Sequence, residues 1–129
     1  MKHVLTSLTF LSIVIATSAS ADVSLIKSYS NSVLLKNYAL SQCVARAYQS
    51  QEVHQDALSV ADGYLQFGEV SDVDAYSRVV KLAEKWLKKK YDSQSDQPLN
   101  LMKCIDFYHS RELQVLLKKY AEKPKKNMR

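Results

Sequence analysis

From residue 30 onward, apolar residues recur every three or four positions and almost never alternate singly with polar ones. That period belongs to helices, so the spacing predicts helices and no strands. A first helix is predicted over residues 30–48, with Leu34, Tyr38, Ala45 and Tyr48 on one stripe and Leu35, Ala39 and Cys43 beside it. A second covers 51–66 and turns Val53, Ala57, Val60, Ala61, Tyr64 and Leu65 inward. Gly63 weakens its last turn and Gly68 terminates it. Ser71 is the expected cap of a third helix, with Asp72 and Asp74 suited to the positive end of its dipole. Tyr76, Val80, Ala83 and Leu87 face inward, flanked by Val73, Val79 and Trp86, and the helix closes on lysines. A polar linker, 91–98, precedes a fourth helix over 99–108 (Leu101, Met102, Cys104, Ile105, Tyr108). Ser110 then caps a fifth over 111–121 (Leu113, Leu116, Leu117, Tyr120). The fold class that follows is all-α, a compact single domain of about five helices.

The first thirty residues follow a different pattern. Met1-Lys2-His3 leads into an apolar run over 4–16, and small residues Ala19 and Ala21 follow. This reads as a cleaved signal peptide, residues 1–21, with the mature helical domain over 22–129. The run is too short to cross a bilayer comfortably, and no later segment approaches the ~20 apolar residues that a membrane span needs. Asp22 stands where a lipoprotein would require cysteine. Export is therefore expected, and it separates the protein from nucleic acid.

Export also changes the meaning of the two cysteines, Cys43 and Cys104. In an oxidising compartment an even count points to one intramolecular disulfide; two free thiols or an intermolecular bridge are the alternatives. Closing residues 43 through 104 is worth about 4 kcal/mol by chain entropy. That is a large share of the ~5–10 kcal/mol a small domain commands.

Loss of Lys2 with the leader lowers the formal charge from +5 to +4, and its distribution is uneven. No Lys or Arg occurs between Arg46 and Arg78, where Glu52, Asp56, Asp62, Glu69, Asp72 and Asp74 fall. Cations then dominate: Lys85, Lys88, Lys89, Lys90, Lys118, Lys119, Lys123, Lys125, Lys126 and Arg129. Glu69, Asp72 and Asp74 form a candidate acidic interface for a basic partner, against the plainer reading of a solvated face.

Candidate chemistry concentrates in LMKCIDFYHSREL, residues 101–113. A nucleophilic Cys104 would need a thiolate and a base, and an exported cysteine with one possible partner is more economically cross-linked. Asp106 and His109 are spaced to face each other on a helix, but zinc needs three or four ligands and no second histidine lies at ligand spacing. His54 and Asp56, two apart, point away from each other. Asp106 and His109 are read as a structural polar pair closing the fourth helix. No phosphate loop, HExxH or nucleophile elbow occurs. The chain carries no catalytic or metal-site constellation, and no cofactor is expected.

CVARAY at 43–48 together with LMKCIDFYHSREL at 101–113 resembles the periplasmic immunity proteins of type VI secretion amidases, and more narrowly the Tai proteins paired with the fourth amidase effector family. The resemblance covers essentially the whole mature chain. It implies an exported all-α homodimer with a helix-to-helix disulfide at Cys43–Cys104. Its partner would be a cognate peptidoglycan amidase, a cysteine peptidase cutting between D-glutamate and diaminopimelate, whose active site it occludes. By position, the resemblance assigns effector binding to Asp92, Ser93, Gln94, Ser95, Asp96 and Gln97, with the third helix of the other subunit. A small acid-activated periplasmic chaperone, triggered by the carboxylates of 52–74, is the alternative of a different class.

Overall fold

The computed structural model describes residues 24–122. The expected leader and the tail cations Lys123, Lys125, Lys126 and Arg129 lie outside these. A 3-10 turn, Leu25–Ser28, precedes five helices: α1 (Asn31–Ala47), α2 (Gln51–Phe67), α3 (Val73–Leu87), α4 (Asn100–His109) and α5 (Arg111–Tyr120). No strand occurs among the described residues. The all-α, five-helix expectation is borne out.

α1 is the central element. Ser30 caps it by accepting from the Val33 amide, and the chain leaves the helix at Tyr48. Every other α-helix packs against it, so burial runs around more than one face: Leu34, Leu35, Tyr38, Ala39, Ser41, Gln42, Cys43 and Ala45 are all inside. Beneath it lie Val79 and Ala83 of α3, Cys104 and Phe107 of α4, and Leu113 and Leu117 of α5, each at most 2% exposed. Tyr38 meets Tyr76 edge to face at 5.0 Å, tying α1 to α3.

The inward faces of α2 and α3 are rotated from the expected ones. α2 buries only Ala57 and Ala61, while Val53, Val60 and Leu65 are exposed. α2 carries apolar residues on both sides of these alanines, and the alanines allow the close approach to α1. In α3 the buried positions are Ala75, Val79 and Ala83; Tyr76, Val80, Trp86 and Leu87 are half-buried, and Val73 is 81% exposed. Asp72 caps this helix in place of Ser71, its carboxylate accepting from the Asp74 amide at 3.0 Å. On α4, Leu101, Met102 and Ile105 face outward, whereas Cys104 and Phe107 are fully buried.

α2 continues unbroken past Gly63 and ends at Gly68. A Cβ on Gly68 would sit 2.8 Å from the Tyr76 hydroxyl and 3.1 Å from the Tyr64 carbonyl. Close approach, rather than backbone angle, is what requires glycine there.

Cys43 and Cys104 form the expected disulfide, with Cα atoms 5.7 Å apart and both residues fully buried. It fastens α4 to α1, and two further contacts repeat the attachment. Tyr108 donates to Asn37 at 3.2 Å, and the Lys36 ammonium lies 3.9 Å from the Tyr108 ring centroid. Ser110 ends α4 and caps α5, accepting from the Leu113 amide at 3.2 Å, so the two helices meet with no linker.

Candidate functional site

The connection from α3 to α4, residues 88–99, contains the six positions assigned to effector binding. Asp92, Gln94, Ser95, Asp96 and Gln97 are exposed and Ser93 is half-buried. Together they present two carboxylates, two hydroxyls and two amides, and no apolar side chain. Ser93 Oγ accepts from the Ser95 amide at 3.3 Å and lies 3.2 Å from Ser95 Oγ. Asp96 adopts φ 53°, a left-handed conformation that short polar residues tolerate better than most.

Both roots of this loop are attached to the scaffold. At the first, the Tyr91 hydroxyl donates to Asp106 Oδ2 at 2.7 Å. That bond, followed by burial and the Asp106 charge, pushes the Tyr91 phenol up from 10.0 to about 12. The Lys103 ammonium lies 5.9 Å from the Tyr91 ring centroid and donates to the Leu87 carbonyl at 3.3 Å. Lys103 is only 6% exposed, and its donation satisfies one of the carbonyls left unpaired where α3 ends.

At the second root, Asn100 Nδ2 donates to the Ala47 carbonyl at 2.9 Å, closing the end of α1. Leu99 enters α4 at φ 49°. For a residue with a Cβ this costs roughly 1–2 kcal/mol, so the surrounding attachments must hold it in place.

Glu69, Asp72 and Asp74 are exposed at the opposite end of α3. The 15 residues of that helix place them roughly 22 Å from the loop's first root. Within one chain the acidic residues and the loop do not form one site. Asp72 is occupied as the α3 cap, and the Glu69 amide donates to Asn31 Oδ1 at 3.0 Å.

Asp106 and His109 do not bond to each other. Asp106 is exposed and takes its hydrogen bond from Tyr91, while His109 stacks edge-on against Tyr108 at 5.2 Å. The two side chains have separate partners: Asp106 meets the loop root and His109 the Tyr108 ring. His54 Nδ1 lies 2.7 Å from the Ala45 carbonyl, which closes the α1–α2 turn. Among the described residues, no three His, Cys, Asp or Glu side chains converge as a metal ion would require. No helix among them is long and apolar enough to cross a membrane.

One feature had gone unread in the sequence. A trough of about 670 Å³ runs between α3 and α5, floored by Leu82, Val115 and Leu116. Arg78, Lys81, Lys85 and Arg111 surround it, with Glu112 the one acidic residue lining it. The signal was present: 78, 81 and 85 recur at three- and four-residue steps, which puts their charges on a single face of α3.

Comparison with known proteins adds the following. The family model of Tai4, the type VI secretion system (T6SS) amidase immunity protein, matches residues 33–117. No curated protein sequence matches the chain. Among solved structures, a chain of the Tae4/Tai4 effector–immunity system of Salmonella typhimurium is 41% identical; the alignment covers 79% of this chain and 100% of that one, with a TM-score of 0.73. A chain from work on type VI-secreted toxins and self-resistance proteins in Serratia marcescens is 21% identical over 84% of this chain and 90% of that one, at 0.72. One from the Tae4–Tai4 complex of Enterobacter cloacae is 16% identical over 75% and 98%, at 0.66. At their low identity, the last two likenesses concern the fold.

Proposed function

The chain belongs to the type VI secretion amidase immunity family, and on that premise we propose that it protects the periplasm by plugging the catalytic cleft of a cognate peptidoglycan amidase with residues 92–97. The target is a cysteine peptidase cutting between D-glutamate and diaminopimelate, and the immunity protein contributes binding without chemistry of its own. Export through the leader at 1–21 brings it to where an injected amidase acts.

The observation that supports this reading most is the loop itself. It is held at both roots, and its exposed groups are all hydrogen-bonding ones. A segment already ordered before docking has little conformational freedom to lose, which favours tight binding. Asp92 and Asp96 suit the imidazolium of a thiolate–imidazolium pair, and Ser93, Gln94 and Ser95 suit a cleft lined with backbone groups.

The protein acts as a homodimer. In the dimer one protomer gives the loop and its partner gives α3, whose acidic end lies roughly 22 Å from the loop root of its own chain.

The test replaces residues 92–97 with a Gly/Ser segment of equal length in the mature protein. Peptidoglycan hydrolysis by the cognate amidase is then followed with increasing inhibitor. The expected result is a rise in inhibition constant of about a hundredfold or more, with unchanged thermal unfolding. Full inhibition by that variant would sink the proposal.

A further inference from the structure

We propose that Tyr91 is a positioning residue for the loop of residues 92–97, latched onto α4 by Asp106 and Lys103. The inference rests on the reading of that loop as the part of the molecule that enters the amidase.

Three contacts converge on this point. Asp106 receives the Tyr91 hydroxyl at 2.7 Å, and Lys103 faces the Tyr91 ring at 5.9 Å. Lys103 also reaches back to the carbonyl of Leu87, the last residue of α3, at 3.3 Å. Lys103 and Asp106 are three apart on α4, so they stand on one face and bracket a single aromatic side chain between them. A buried lysine is uncommon unless its ammonium is used, and here it joins the end of α3 to the root of the loop.

Location gives the latch its consequence. Without it, the free chain runs from Lys90 to Leu99, because the Lys88 and Lys89 amides still donate to the Glu84 and Trp86 carbonyls of α3. With Tyr91 fixed, the free span shrinks to 92–99, and its far end is already held by Asn100 on the Ala47 carbonyl. The Tyr91–Asp106 bond is solvent-exposed, so water competes for both partners and the pair adds little to global stability. Its effect falls instead on how many conformations the loop samples before docking. An inhibitor competent only in a fraction of its conformations binds more weakly by that fraction.

The experiment compares Tyr91→Phe, Asp106→Ala and Asp106→Asn in the mature protein. Amide hydrogen exchange of the free protein is measured alongside affinity for the amidase. In Tyr91→Phe and Asp106→Ala, the Ser95 amide, held by Ser93 Oγ within the loop, should exchange faster, while the amides of α1 and α3 and the melting temperature stay put. Affinity should fall about three- to tenfold in each, and the double variant should be no worse than either single one, since both remove the same bond. Asp106→Asn keeps a carbonyl acceptor and should recover most of the loss. Unchanged exchange at Ser95 in Tyr91→Phe would overturn the latch, whatever the amidase does. Faster exchange with parental affinity would also overturn it, while leaving the plug reading to stand on the Gly/Ser replacement.

Discussion

α1 and α2 have the same length, 17 residues, yet the protein holds them in different ways. α1 buries eight residues, receives a cap from Ser30, and is bonded covalently to α4. α2 buries two alanines, starts at Ser50 with no side-chain cap bond, and touches little besides α1 and the 3-10 turn. Its exposed Val53, Val60, Leu65 and Phe67 show that apolar content does not decide what is buried. Proximity does: alanines let two backbones approach closely, at the cost of leaving the larger side chains on the shoulders of the contact. One helix is held by large side chains and a cross-link, the other by fit.

The largest break in that contrast comes from removing the cross-link. Cys43→Ala with Cys104→Ala should lower unfolding free energy by about 4 kcal/mol, measured by urea denaturation of the mature protein. A reducing agent should produce a similar drop in the parent and none in the double variant. The seam of α2 should fail in the opposite sense, through crowding. Ala61 has no exposed surface, and Ala61→Leu should cost about 1–3 kcal/mol because the added methyl groups have nowhere to go. Val60→Leu, one residue away on the exposed side, should fall within about 0.5 kcal/mol of the parent.

A third difference appears only in alkali. Burial raises the Tyr38 and Tyr76 phenols above 10.0 where α1 meets α3, outweighing the Arg46 charge near Tyr38, which acts the other way. A phenol with a raised folded pKa favours the fold while neutral, so its contribution is intact below pH 10 and is lost as pH climbs through the higher folded value. The α2 seam is closed by alanines, which do not titrate. Tyr38→Phe should therefore flatten the decline of melting temperature above pH 10 relative to the parent, and Ala57→Gly should lower the whole curve without changing its slope.

The helices themselves were legible because each carries its own period, and their ends because Ser30, Gly68 and Ser110 act locally. The disulfide followed from compartment and count. The rotation of α2 and α3 was not legible, since it depends on which neighbour comes nearest. Val53, Val60 and Leu65 satisfy the helical pattern as well as Ala57 and Ala61 do. The loop was visible as a polar stretch between apolar runs, but its fastening was not. Tyr91 finds Asp106 15 residues away, and Lys103 finds the Leu87 carbonyl 16 residues back. Lys103 shares its buried face with Cys104 and Phe107, yet a lysine at such a position reads as solvated until the carbonyl it serves is seen.

The smallest test of the contrast concerns the first turns. At α1 the Ser30 hydroxyl accepts from the Val33 amide at 3.3 Å, satisfying a donor that the helix cannot pair internally. At α2 the Ser50 hydroxyl makes no such bond. The same substitution should then give unequal losses. Ser30→Ala should cost about 1 kcal/mol and Ser50→Ala no more than a few tenths, read as shifts in urea midpoint at constant slope. Equal losses would mean that the two helix starts are held alike, and that the difference between α1 and α2 lies wholly in their packed faces.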